Sequence, residues 1–182
     1  MKIKGLIGVP GSGKSTVMKD KLSVMGGAYE LRSWKHPQED PEKKPQPITA
    51  WLCPSFRTLV FGHYAPGVEF PGTDTLSKSC GSSVRQFLLD VLEHSPVDIG
   101  GILVTKEWSF LWEGERFMNR PMFDFFRDIK YKGAEVVVDL LEVSPETLAR
   151  NRAERVQDPT WLRGMETRVR NIVACYPDLL GQ

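Results

Sequence analysis

The residues whose types and spacing can do chemistry come first in the chain: Gly8, Pro10, Gly11, Ser12, Gly13, Lys14, Ser15 and Thr16, in the stretch GVPGSGKST. The pattern G-x-x-x-x-G-K-[ST] is one that holds phosphate. Gly8, Gly11 and Gly13 let the backbone curl, so that successive N–H groups point inward at phosphate oxygens. Lys14 is expected to reach the β- and γ-phosphates of ATP, and the Ser15 hydroxyl to bind Mg²⁺. A bound triphosphate has three uses: transfer of its γ-phosphoryl group, hydrolysis to drive motion, or service as a switch. The cradle by itself does not choose among them.

Such a loop works only between a strand and a helix, because the helix dipole must begin beneath the phosphates. The chain supplies both. IKGLIGV is a short apolar, β-branched run, and STVMKDKLSVM reads as a helix opening on hydroxyl residues. Further along, 28–34 reads as a strand, and HPQEDPEKKPQPI (36–48) as an exposed loop too rich in proline for helix or inner strand. Strand character resumes in FRTLVFGHY. A helix follows over 82–95, with Val84, Phe87, Leu88, Val91 and Leu92 on one face and Ser82 or Ser83 as its cap. The run IGGILVTKEWSFLW fits one long strand or a helix end plus a strand, and a strand ending near Trp112 is the favoured reading. NRPMFDFFRDIKYKG is a helix closed by Gly133, AEVVVDLLEV a buried strand, and SPETLARNRAER a helix with Ser144 as cap and Pro145 in its first turn. A last helix covers about 160–174. This alternation predicts one α/β domain over residues 1–182, a three-layer P-loop NTPase fold of small-kinase type with a mostly parallel sheet and right-handed crossovers.

Bulk properties narrow the class. A chain of 182 residues with 41% hydrophobic and 26% charged content is that of a globular domain. Lys+Arg 24 against Asp+Glu 23 leaves no global basic field, so a polyanion would need a local patch. Cys53, Cys80 and Cys175 form no metal or disulfide pattern and read as buried free thiols in a reducing compartment. No apolar leader or membrane-length run occurs, and the expected location is the cytoplasm.

Ligands of such sheets sit beyond the carboxyl ends of the strands, and chemistry is sought there. WEGERF sets Glu113 at a strand end with Arg116 three residues on. The carboxylate can take an acceptor proton or hold a Mg²⁺-bound water, and the arginine can clamp phosphate. A polar turn with a surface ion pair would look the same in isolation. Arg150, Arg152 and Arg155 lie in a candidate lid, 144–160. Helical spacing puts Arg152 and Arg155 nearly on one face, with Arg150 away from them. Arg163, Arg168 and Arg170 extend the basic run and could contact a nucleic-acid backbone. In FPGTDTLSKS, Gly72 allows close backbone approach, Asp74 can act as base or bind an acceptor hydroxyl, and Thr73, Thr75 and Ser77 offer hydrogen bonds. Asp139 lies inside a strand, not beyond its end, and reads as structural. No apolar run ending in Asp marks the chain as a hydrolase.

Taken together, GVPGSGKST, FGHYAPGVEFPGTDTLS, EGERFMNRPMF, VVVDLLEVSPETLARNRAER and WLRGMETRVRN resemble the bacteriophage P-loop 5-hydroxymethyluridine DNA kinases of thymine hypermodification, nearly end to end. The resemblance implies ATP- and Mg²⁺-dependent phosphorylation of the 5-hydroxymethyl group of 5-hydroxymethyluracil in DNA. It implies phosphate-binding and catalytic roles for Lys14, Ser15, Asp74, Glu113, Arg116 and the lid arginines, which stand in matching positions. A base inside a duplex must be extruded to react, and His63, Tyr64, Phe70 and Trp112 are candidates to stack on it, although aromatics at strand ends usually pack and core is the favoured reading of Trp112. A kinase of free nucleotides or of polynucleotide 5′ ends, and a regulatory nucleotide binder that transfers nothing, remain alternatives.

Overall fold

The computed structural model describes residues 1–25, 30–34, 48–64, 72–77, 80–153 and 158–181. Strands and helices alternate as β1 (Lys2–Ile7), α1 (Lys14–Val24), β2 (Glu30–Trp34), β3 (Ile48–Cys53) and β4 (Thr58–Phe61), then α2 (Cys80–His94), β5 (Val97–Ile99), β6 (Ile102–Val104) and β7 (Ser109–Glu113). They continue with α3 (Arg120–Tyr131), β8 (Glu135–Leu140), α4 (Pro145–Ala153) and α5 (Pro159–Cys175). Short 3₁₀ turns at Thr73–Thr75 and Glu115–Phe117 prove important for the site.

One six-stranded sheet runs in the order β2-β3-β4-β7-β1-β8. The β4–β7, β7–β1 and β1–β8 pairs are parallel, whereas β2–β3 and β3–β4 are antiparallel. The result is a mixed α/β fold with a largely parallel sheet. Near the carboxyl end of the chain, Leu180 bridges Val138 in parallel, and Gly181 N–H donates to Val138 O.

Residue alternation sets the two faces. Leu59, Phe61, Phe110 and Trp112 point to the face covered by α2, α3 and α5, where Phe87, Phe123, Phe126 and Met165 join them. Val60 and Leu111 point to the other face, against Met18 and Leu22 of α1. β7 is therefore buried on both sides, which is why its middle residues, Phe110 to Trp112, are all apolar. At its centre Trp112 is fully buried and stacks on Phe126, at 5.5 Å between ring centroids. Its indole lies flat against Gly5 of β1, where a Cβ would stand 2.4 Å from Cζ2. Large-to-small replacement of such a side chain costs about 3–5 kcal/mol.

These connections define a crevice. From its carboxyl end β1 sends the chain to α1 on one face. Its neighbour β7 sends the chain through 115–117 to α3 on the opposite face. Ligand clefts in open α/β sheets form where adjacent parallel strands diverge in this way.

Several expectations need correction. IGGILVTKEWSFLW is not one strand: β5 and β6 form a separate antiparallel hairpin. A turn closed by Trp108 N–H to Thr105 O at 3.0 Å then precedes β7. The Gly100-Gly101 pair, both at positive φ, makes the hairpin turn and interrupts the run. β3, from ITAWLC, was not anticipated, and it turns one end of the sheet antiparallel. Helix α2 starts at Cys80, so Ser82 and Ser83 lie inside it rather than capping it. Cys53 and Cys80 are buried thiols, but Cys175 is exposed. Other expectations hold. Ser144 Oγ accepts from Thr147 N–H at the start of α4, and Gly133 N–H donates to Lys130 O just past α3. Most of the loop read at 36–48 (residues 36–47) and the first residues of the strand read at 28–34 lie outside the described residues. No helix among the described residues is long and apolar enough to cross a membrane.

Candidate active site

The loop between β1 and α1 takes the curled form its glycines permit, with Gly11 at φ 87° and Gly13 at φ 90°. Ser12 N–H donates to Val9 O at 3.1 Å. The Lys14 ammonium folds over the loop and donates to Gly8 O at 3.0 Å and Val9 O at 3.2 Å. Ser12 is only 3% exposed, and its hydroxyl is buried without a hydrogen-bond partner among the described residues. An unpartnered donor inside a curled, cationic loop at a helix start is what an anion would satisfy.

Ser15, in the first turn of α1, faces the end of β7. Its hydroxyl donates to Glu113 Oε1 at 3.0 Å. Glu113 is 1% exposed, and the Tyr64 hydroxyl, itself buried, donates to the same oxygen at 3.4 Å. Burial pushes the Glu113 carboxyl up to about 7. The Ser15 hydrogen bond and the Lys14 charge oppose this, the nearby Asp74 charge adds to it, and the Tyr64 hydrogen bond opposes it. Tyr64 is itself driven well up, first by burial and then by the Glu113 charge.

The segment after β4 closes over this carboxylate. Gly72 N–H donates to His63 O at 3.0 Å. His63 N–H donates to Thr75 Oγ1 at 3.0 Å, and Thr75 Oγ1 donates to Gly72 O at 2.7 Å. Gly72 is pressed so near the site that a Cβ on it would lie 2.1 Å from Glu113 Oε1, and its φ of 79° also favours glycine. Thr73 Oγ1 donates to Glu113 O at 2.8 Å. Asp74 Oδ1 accepts from Glu115 N–H at 2.6 Å. Burial raises the Asp74 carboxyl, while hydrogen bonds from backbone N–H groups and the Lys14 charge pull the other way.

Arg116 donates through Nε to Leu76 O at 3.2 Å, and its Nη1 lies 3.9 Å from Glu115 Oε1. The α4 segment docks on the β1–α1 loop from outside. Asn151 Nδ2 donates to Gly11 O at 2.8 Å, and Arg152 Nε donates to Pro10 O at 3.1 Å. The other end of Arg152 pairs with Glu166 Oε1 of α5 at 2.8 Å. Arg150 is exposed, and Arg155 lies outside the described residues.

The structure thus brings together the loop residues, Lys14, Ser15, Glu113 and Asp74. Arg152 contacts the loop backbone, and Arg116 stands beside Leu76. Of the aromatic stacking candidates, Trp112 is core, because β7 is covered on both faces. Tyr64 is spent on Glu113. His63 is half-buried and packs edge-on to Trp51, 6.1 Å between centroids. Phe70 lies outside the described residues. Asp139 is exposed on β8. Tyr64 as a carboxylate partner, Thr73 as a donor to Glu113 O, and Asn151 as a loop contact were not anticipated. FLWE is an apolar run that ends in a glutamate rather than an aspartate.

Ser15 and Glu113 are the pair suited to hold Mg²⁺, which characteristically takes one or two carboxylates plus substrate phosphates rather than an all-protein cage. Among the described residues there is no cluster of three or more His, Cys, Asp or Glu side chains that could hold a metal alone. Comparison of the chain with protein-family models, with curated proteins and with solved structures finds no match.

Proposed function

We propose that this protein is a P-loop phosphotransferase that moves the γ-phosphoryl group of ATP onto a hydroxyl. The acceptor in this reading is the 5-hydroxymethyl group of 5-hydroxymethyluracil in DNA. The observation that carries the reading is the 3.0 Å approach of the Ser15 hydroxyl to Glu113 Oε1, across the crevice between β1 and β7. It supports the reading because it sets a hydroxyl and a carboxylate beside a loop whose Ser12 hydroxyl is buried without a partner among the described residues. The spatial order of the four parallel strands agrees: β4, β7, β1, β8 puts the carboxylate-bearing strand beside the loop-bearing strand. The DNA acceptor rests on the resemblance of the 61–77 and 113–123 segments.

In this reading the loop N–H groups and Lys14 hold the β- and γ-phosphates, with Lys14 released from the Gly8 and Val9 carbonyls. Ser15 and Glu113 would hold Mg²⁺, which would supply positive charge to offset that of the phosphates. Asp74, fixed through Oδ1 by Glu115 N–H, accepts the proton of the attacking hydroxyl. The bond from that oxygen to the γ-phosphorus forms while the bridging oxygen departs with ADP. Arg116 and Arg152 sit at the rim, where they can turn onto phosphate oxygens.

A second reading is favoured by one observation: a buried carboxylate closing an apolar strand beside the loop also suits an ATPase that transfers to water. Labelled γ-phosphate offered with DNA containing 5-hydroxymethyluracil, with its mononucleotide and with unmodified DNA ends separates these outcomes. The proposal expects label on the modified DNA. Label on the mononucleotide alone, or free phosphate alone, overturns it.

A further inference from the structure

Away from the strand-end site, helices α3 and α5 bound a groove of about 770 Å³. It is lined by Asn119, Arg120 and Arg127 on the α3 side and by Thr167, Arg168 and Asn171 on the α5 side. Three guanidinium groups face one carboxylate there, Asp124, and that carboxylate is committed. Its Oδ1 accepts from the Tyr176 hydroxyl at 2.8 Å and from Arg127 Nη2 at 3.1 Å, and its Oδ2 lies 3.4 Å from Arg120 Nε. Arg127 is held further by lying 5.2 Å over the Tyr176 ring. Asp124 thus acts as an internal strut that sets two arginines side by side. The Arg120 side chain is nonetheless 87% exposed, and Arg168 is exposed and forms no ion pair with any described residue. The chain as a whole is nearly neutral, so this arginine excess is local.

Two further features indicate the shape of the occupant. On α5, helical spacing sets Trp161 on the same face as Gly164 and Arg168, and Trp161 is 38% exposed. An exposed indole in line with arginines is the pairing that takes stacked bases and phosphates along one strand. Bonded contacts also link the walls of the groove to the candidate active site. Asn119, on its rim, donates through Nδ2 to Arg116 O at 2.6 Å and caps α3 by accepting from Met122 N–H at 3.0 Å. On the other wall, Glu166 ties α5 to Arg152 and so to the phosphate loop.

We propose that the α3–α5 groove is the seat of a sugar–phosphate strand, with Arg120, Arg127 and Arg168 on successive phosphates and Trp161 stacked on a base. The assignment rests on the phosphotransferase reading only for the identity of the reacting base; the groove itself follows from the arginines, the indole and the cavity. It gives a physical reason for a polymeric acceptor, since a free nucleotide would leave most of this surface unused.

The test is fluorescence anisotropy with a labelled single-stranded oligonucleotide of mixed sequence and no ATP, across a salt series. Arg120→Glu combined with Arg168→Glu should weaken binding at least about tenfold and flatten the salt slope by roughly one phosphate per arginine. Trp161→Ala should weaken binding several-fold and leave the slope unchanged. Both variants lie on exposed positions, and their melting temperature and affinity for a fluorescent ATP analogue should match the parent. Failure of the parent to bind the strand overturns the assignment, as does an equal loss in the control Arg57→Glu, which lies outside the groove. Equally strong competition by an acidic peptide also overturns it. Because ATP-analogue binding is read separately, loss of the groove assignment leaves the phosphotransferase reading intact, and the reverse holds too.

Discussion

The two halves of the candidate site are built differently. The proposed phosphate half, residues 8–16, is local: Lys14 bonds to Gly8 and Val9, and its form follows from glycines, a strand and a helix in immediate succession. The proposed acceptor half is assembled at long range. Thr73 reaches Glu113 O, Asp74 reaches Glu115 N–H, and Ser15 reaches Glu113 from the far side of the crevice. A local site is robust to changes elsewhere in the chain. A long-range site depends on the packing of β4 and β7 and is tuned by burial, which is why the raised carboxyls Glu113 and Asp74 both belong to it. Glu113 is the hinge between the halves.

This contrast is broken most severely at Lys14. Lys14→Ala should lower transfer by about a thousand-fold or more with an unchanged melting temperature, since the ammonium donates to carbonyls of its own loop, Gly8 O and Val9 O. An unfolded or fully active variant would remove Lys14 from the phosphate site. Next comes the acceptor half. Asp74→Asn keeps an oxygen able to accept from Glu115 N–H, so the turn should survive while kcat falls by about a hundred-fold and ATP-analogue affinity stays level. If kcat holds and only Asp74→Ala is damaging, Asp74 serves the turn and not the proton. Gly72→Ala sharpens the comparison further, because its Cβ would displace the Glu113 carboxylate from outside the phosphate loop. It should cost Mg²⁺-ATP binding although residue 72 touches no phosphate.

The smallest effect is one of pH, and its sign is fixed. The Glu113 carboxyl is pushed up to about 7 in the folded chain, against an ordinary value of 4.5. Between those values the folded state binds more proton than the unfolded one, so stability from this group declines as pH rises through that window. Glu113→Gln should therefore raise the melting temperature of the nucleotide-free protein by several degrees at pH 8 and leave it unchanged at pH 4. Thermal unfolding at both pH values checks this.

Legibility followed the same division. The cradle, α1, α3, α4, α5 and β8 could be read from GVPGSGKS, from helical periodicity, from Ser144 and Gly133, and from the valine run, because each signal is contained in a short window. β3 was missed because ITAWLC is short and adjoins a proline-rich stretch, and the β5–β6 hairpin because Gly100-Gly101 lies within an otherwise unbroken apolar run. Glu113 and Asp74 could be nominated by type. That Glu113 is shared by Ser15 and Tyr64, and that Asp74 supports the Glu115 turn, depends on partners about forty or more residues away, and no window contains them. Trp112 is legible as a core residue, since aromatics at strand ends usually pack, and the inner position of its strand bears that reading out over the stacking alternative.

The central claim is that Ser15 and Glu113 together form the metal–triphosphate site at the ends of β1 and β7. Electron paramagnetic resonance of Mn²⁺–ATP titrated into the protein without any acceptor tests it most directly. The account predicts a bound Mn²⁺ signal coupled to phosphorus, tightening as pH rises through about 7 and lost in Ser15→Ala and in Glu113→Gln. Unchanged Mn²⁺–ATP binding in both variants would contradict it.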